Sequence, residues 1–214
     1  MLLLIKIFLW FIGLSIIVSV IWRICSRYLI LPCPAWLAWM VERDNPFSRI
    51  NRAATIISHL DLKPGMKVLD VGCGPGRVTI PAAKKVGPNG QVTAIDIQAE
   101  MLRKIQAKAQ KESLANIIYI HGGIGQKKLP TNAFDRALLI TVLGEIPDSH
   151  RQSGLKEIFD ALKPGGILSV TEIILDPHFQ RQSAVINLAC SVGFKEKMMY
   201  GNWLSYTLIF EKLA

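Results

Sequence analysis

The segment Val68-Leu-Asp-Val-Gly-Cys-Gly-Pro-Gly76 constrains this chain more than any other. A short run of β-branched and aliphatic residues leads straight into three glycines at alternate positions. Glycine lets a backbone turn sharply and come close to a ligand. The helix that follows opens at that turn, so its free N–H groups face the same ligand. Asp96 ends the next apolar run, twenty residues after Gly76, where a carboxylate can accept hydrogen bonds from both hydroxyls of a ribose. Together these residues predict a site for a nucleoside-containing cofactor. A dinucleotide fingerprint would need glycine where Arg77 stands, so the spacing here is G-x-G-x-G.

The rest of the pattern alternates. Strands are predicted over Lys67–Asp70, Val92–Asp96, Asn116–His121, Arg136–Thr141, from Lys163-Pro-Gly-Gly166 through Ile173, and over Leu204–Phe210. Helices are predicted over Arg49–Leu60, from the glycine turn through Ala83, and over Ala99–Ser113, Ser149–Leu162 and Ser183–Val192. Short strands alternating with helices predict an α/β fold, a mostly parallel sheet covered on both faces.

The N-terminus follows a different rule. From Met1 to Trp22 the only charged residue is Lys6, and a helix of that length measures about 33 Å, close to the thickness of a bilayer core. Trp22-Arg-Ile-Cys25 offers no small-x-small cleavage site, which favours an uncleaved anchor over a signal peptide. Nearly all of the excess of 25 Lys and Arg over 16 Asp and Glu follows this run. That bias predicts a single-pass helix with the bulk of the chain cytoplasmic and suits an anionic membrane surface. No basic-aromatic motif supports a nucleic-acid partner. The expected organisation is a membrane anchor over 1–30, an interfacial linker with lid helices over 31–60, and the α/β domain over 61–214. In the linker, Trp36 and Trp39 suit either an interfacial position or packing on the domain. Cys25, Cys33, Cys73 and Cys190 have no metal-ligand spacing, and no metal is expected.

With these motifs in this order the chain resembles the class I S-adenosylmethionine-dependent methyltransferases, especially the branch with the ubiquinone and menaquinone methyltransferases. The resemblance covers roughly Asn51 to Lys212. It rests on the glycine segment, Ile95-Asp-Ile97, Phe134-Asp135, Leu162-Lys-Pro-Gly-Gly166, Val192-Gly-Phe194 and the closing Tyr206–Lys212. It implies a Rossmann-like sheet of seven strands and S-adenosylmethionine as cofactor. Asp70, Gly72 and Gly74 are then expected along the methionine part, with Gly76 holding the turn. Asp96 is expected on the ribose, Ile97 on the adenine and Thr141 near the methionine end. Where the family commonly has Gly-Asp after the third strand, this chain has Gly122-Gly123-Ile124, leaving the backbone at Gly123 and Ile124 to meet the adenine.

A sulfonium methyl is already electrophilic, so holding the nucleophile in line is the main task. A phenol, enol or protonated amine also needs a base. Glu145, Glu172, Asp176 and His178 are the candidates at the C-terminal edge of the sheet, each with an alternative reading as a polar group that fixes a loop. Because no sizeable insertion follows the fifth strand, the lid must come from Pro34–Leu60. Its junction with the anchor predicts a lipophilic small-molecule acceptor, such as a quinone precursor or lipid. Two alternatives are a non-catalytic membrane adaptor on the same fold and an NAD-dependent oxidoreductase, the latter disfavoured by Arg77.

Overall fold

The computed structural model describes residues 2–29, 33–34, 38–44 and 48–213. Helix α1 (Leu2–Leu29) comes first, then the short α2 (Ala38–Glu42) and α3 (Ala53–His59). The domain continues as β1 (Lys67–Val71), α4 (Thr79–Val86), β2 (Gln91–Asp96), α5 (Ala99–Lys111), β3 (Ile117–His121) and β4 (Phe134–Ile140). A short 3-10 turn at Leu143–Glu145 precedes α6 (Asp148–Ala161), β5 (Leu162–Ile173), α7 (Gln182–Ser191), β6 (Phe194–Asn202) and β7 (Ser205–Lys212).

The seven strands form one sheet in the order β3-β2-β1-β4-β5-β7-β6. Strands β1 to β5 pair in parallel, and β7 runs antiparallel to both β5 and β6. In β1 every residue after Lys67 is buried, as are Val92–Asp96 of β2, which fits strands covered on both faces. Successive side chains point to opposite faces. Leu69 and Val71 therefore join the core under α6 and α7, while Val68 joins the one under α3, α4 and α5. Helix α5 shows the same economy, burying Met101, Leu102, Ile105 and Ala109 and leaving Arg103 in water.

The chain leaves β1 toward β2 and β3, then returns to β4 on the other side of β1. This reversal opens a crevice beyond the C-terminal ends of β1 and β4, the place where open α/β sheets bind ligands.

Several elements differ from the sequence expectation. Helix α3 starts at Ala53 rather than Arg49, because the chain just before it is used otherwise: the Asn51 carbonyl and Oδ1 both accept from Arg77, and the Ala53 N–H donates to Asp44 Oδ1 (2.9 Å). Strand β5 starts at Leu162 and runs through Lys163-Pro-Gly-Gly166. Leu162 pairs with Phe134, and the register then shifts so that Arg136 opposes Ile167, while Gly165 takes φ 75°. The glycines thus form an irregularity inside the strand instead of a turn before it. The residue pattern showed one closing strand where the resemblance implied two; β6 and β7 are those two, joined as a hairpin, and β6, exposed along most of its length, carries little alternation.

The expected transmembrane segment falls on α1. Among the described residues, no helix is long and apolar enough to cross a membrane. The side chains of Arg23 and Arg27, the first two arginines after the apolar run, and Trp36 of the linker lie outside the described residues.

Candidate active site

The glycine segment shapes one wall of the crevice. Gly72 takes φ 63°, Gly74 51° and Gly76 87°, a left-handed series that only glycine adopts without strain. The Gly72 and Cys73 N–H groups both donate to the Ile95 carbonyl (2.8 and 3.2 Å), which ties the turn to β2. A Cβ on Gly72 would stand 2.4 Å from Val142 Cγ2, and one on Gly76 would stand 2.8 Å from Ile105 Cγ1. Gly74 has nothing within 4 Å of that position, so its backbone is bare toward the crevice.

Asp96 sits at the centre. Its Oδ2 accepts the Gly74 N–H (2.9 Å) and its Oδ1 the Gln98 N–H (2.8 Å). An ionised carboxylate has about four acceptor positions, so two remain for a ligand. Burial raises its pKa, and the two amides oppose the rise. Asp70, at the end of β1, is buried, and its Oδ2 accepts from Thr79 Oγ1 (2.6 Å). Burial pushes its carboxyl up to about 7, against the Thr79 bond and with help from the Asp96 charge.

On the far side of Asp96, Ile97 is 54% exposed although apolar, and a Cβ on Gly123 would lie 3.5 Å from its Cγ2. The two leave an open apolar slot, with the Gly122 N–H tied back to the Asp96 carbonyl (2.9 Å). Thr141 directly follows β4, at φ 56°, a conformation in which a β-branched residue stores about 1–3 kcal/mol of strain. Its N–H donates to the Thr171 carbonyl (2.8 Å) and its Oγ1 to the Ile140 carbonyl (2.7 Å).

Asp70, Gly72, Gly74, Asp96, Ile97, Gly123, Ile124 and Thr141 all line this one cleft, whose empty space is about 1020 Å³ with its open mouth included. Gly76 stands behind the wall, against Ile105. The cleft also takes in residues that the sequence reading passed over, among them Cys33, Val41, Gln98, Val142 and Ile146. For Cys33 and Val41 no local pattern could have shown it, because they reach the site only through the fold.

Of the candidate bases, Glu145 alone lines the cleft. Burial pushes its carboxyl up to about 8, Asp176 and Asp96 add to the rise, and the Cys33 N–H opposes it. That N–H and the Cys33 carbonyl, which accepts from Gln98 Nε2 (2.9 Å), clasp the linker between the β2 side and the β4 side of the cleft. Glu172 lies behind, fully buried. Its Oε2 accepts the Gln180 N–H (3.2 Å), and its Oε1 has no partner among the described residues. Burial, with Asp176 next, drives it well above the carboxylate range. His178 is buried outside the cleft, its N–H on Asp176 Oδ1 (2.7 Å). A Cβ on Gly144 would fall 1.8 Å from the His178 carbonyl oxygen, so His178 and Asp176 fix the loop against the 3-10 turn.

The linker is held at a second place. Arg77 donates to Asp44 Oδ1 (3.0 Å) and Asn51 Oδ1 (2.9 Å), and Lys108 pairs with Glu42 at 2.8 Å. Arg77 thus serves as a clamp on the segment in front of the site.

Residues 68–166 match the family model described as a methyltransferase domain. The demethylmenaquinone methyltransferases of Geobacillus sp. (strain WCH70) and Geobacillus stearothermophilus are each 36% identical to this chain, over 110 and 112 residues. Those matches cover 51% and 52% of this chain and 46% and 47% of the relatives, so the chain spans about half the length of the curated relatives it matches. A SAM dependent methyltransferase from Aquifex aeolicus superposes with a TM-score of 0.74 at 22% identity, over 85% of this chain and 100% of that one. At that identity the likeness is one of fold.

Proposed function

We infer, for a chain whose central domain belongs to the class I S-adenosylmethionine-dependent methyltransferases, that it transfers a methyl group from S-adenosylmethionine to a lipophilic small molecule at a membrane. The observation that carries the reading is a single cleft with Asp96 at its centre, bare glycine backbone on one side of it and an exposed Ile97 over an open Gly123 on the other.

The cleft fits the cofactor. Asp96 has acceptor positions to spare for the ribose hydroxyls, and the space between Ile97, Gly123 and Ile124 is open and apolar, which suits an adenine. Asp70, Gly72 and Gly74 would hold the methionine part, with Gly76 keeping the turn and Thr141 closing the strand beside it. When bound, S-adenosylmethionine supplies a positively charged, electrophilic methyl group. The protein's own contribution is to hold the acceptor in line, which is worth about 7–11 kcal/mol of the barrier, and to shield the cleft with the backbone at Cys33, held by Gln98. Glu145 is placed to take a proton from a hydroxyl or ammonium acceptor. Its carboxyl near 8 is a stronger base than an exposed glutamate. Glu172 and His178 hold the wall behind it.

Membrane attachment rests on α1. Leu3, Leu4, Phe8, Leu9, Trp10 and Phe11 are all exposed, as are Ile16, Ile17, Val20 and Ile21 further along. A helix apolar all round needs a protein core or a bilayer to cover it. The described residues alone contain no helix long and apolar enough to cross a membrane. The single-pass reading rests on the sequence of the whole apolar run over residues 1–22 and the arginines that follow it, which also favour a cytoplasmic domain. The anchor's junction with the Cys33 linker supports an acceptor that partitions into lipid, and the demethylmenaquinone methyltransferases among the relatives are consistent with a quinone precursor.

Calorimetry on the detergent-solubilised full chain tests the cofactor. Micromolar binding of S-adenosylmethionine is expected, weakened about 100-fold or more in Asp96→Ala, since loss of a charge-assisted pair of hydrogen bonds costs several kcal/mol. No binding to the native chain would leave the non-catalytic adaptor as the better reading.

A further inference from the structure

Three apolar side chains stand in water at the sheet edge where the cleft opens. Leu175 is 62% exposed, Trp203 69% and Leu204 39%. They belong to one surface: Ile173 pairs with Ser205 at the end of β5, and the Ile174 N–H donates to the Leu204 carbonyl (2.7 Å). The β6–β7 tip and the loop after β5 are therefore joined by backbone pairing.

That unit adjoins the cleft. Asp176 follows Leu175 and acts electrostatically on both Cys33 and Glu145. Helix α1 ends at Leu29, four residues before Cys33, a stretch of chain that spans at most about 14 Å. Whatever path those residues take, the end of α1 lies within that distance of the cleft rim. Charge points the same way. Ser48 bonds Ser205 (2.7 Å) and is followed by exposed Arg49, while Gln182 Nε2 donates to the Asn202 carbonyl (3.2 Å) next to exposed Arg181. Neither arginine has an ion pair among the described residues.

We propose that this tip is a second membrane contact, in which Trp203 and Leu204 together with Leu175 dip into the interfacial layer of an anionic bilayer. Arg49 and Arg181 meet the headgroup phosphates beside it. An indole suits that layer, where one end of the ring is apolar and the other wet, and basic residues next to it gain from anionic lipid. Three side chains are a weak membrane site alone. Tethered by α1 they act at high effective concentration, and their task is to turn the cleft mouth toward the lipid so that an acceptor passes directly to Glu145. The proposal rests on α1 being a membrane anchor.

The test uses the full chain in vesicles of phosphatidylcholine and phosphatidylglycerol, with and without brominated acyl chains, beside Trp203→Phe. The difference in emission between the two proteins isolates Trp203 from the other four tryptophans. The expected result is emission lost in brominated vesicles and protected from aqueous iodide. Emission quenched by iodide and untouched by bromine overturns the tip contact. Alkaline carbonate separates the two readings. A chain retained in the vesicles with an iodide-accessible Trp203 refutes the tip alone, whereas a chain that carbonate strips off refutes the anchor and the tip with it.

Discussion

Gly72 and Gly74 share a left-handed backbone but differ in what surrounds them, and the difference separates structure from ligand space. At Gly72 a methyl group would overlap Val142, whereas at Gly74 it would project into the open cleft. Gly72→Ala should therefore lose about 1–2 kcal/mol to the left-handed backbone and about 1–3 kcal/mol to overpacking, measured by urea unfolding. Adding Val142→Ala should return only the packing part. A single mutant as stable as the native chain would show that the turn has another conformation. Gly123 is unlike both: its φ is not positive and only Ile97 Cγ2 lies close. A side chain fits there, so the missing acid at this position is a chemical choice and not a steric need.

At the scale of elements, α3 is fastened by polar side chains as well as by the burial of Ala53 and Ile56. Arg77, its side chain 13% exposed, holds Asp44 and Asn51 together, and Asn51 is buried. Arg77→Ala leaves Asn51 without its partner, a loss of about 1–3 kcal/mol for a buried polar group. Hydrogen exchange should quicken over residues 48–60 and stay unchanged in β1 and β4, and S-adenosylmethionine should dissociate faster. Exchange that quickens evenly across the domain would mean that Arg77 supports the whole core and not the cover of the cleft. The short α3 is explained by the same contact, since backbone spent on a distant arginine is not available to a helix.

The whole molecule carries Asp70, Asp96, Glu145 and Glu172 in or behind one cleft, all with raised pKa values and burial as the first cause. Each therefore holds its proton to higher pH in the folded state than in the unfolded chain, which releases it around pH 4. The folded state binds more protons, so these groups stabilise it fully at low pH, and that stability drains away as pH rises through about 7 for Asp70 and about 8 for Glu145. Asp135 works in the opposite sense, held low by Lys163 and the Lys67 N–H against its burial, and its contribution is lost as pH falls below the ordinary carboxylate range. The melting temperature should accordingly fall between pH 5 and pH 8, with a shallower slope in Glu172→Gln. A flat or rising profile would mean that these carboxyls are ionised and paired. The sequence by itself determined the alternation of strands and helices, the glycine turn after β1 and the carboxylate at the end of β2, because these depend on side-chain period and on backbone freedom within a few residues. Tertiary structure alone decided that Cys33 and Val41 reach the cleft, that Glu145 faces it while Glu172 and His178 stand behind, and that Thr141 takes a strained backbone. Those outcomes depend on which strand ends the reversal between β1 and β4 brings side by side, and residues more than a hundred positions apart leave no periodic trace of their meeting.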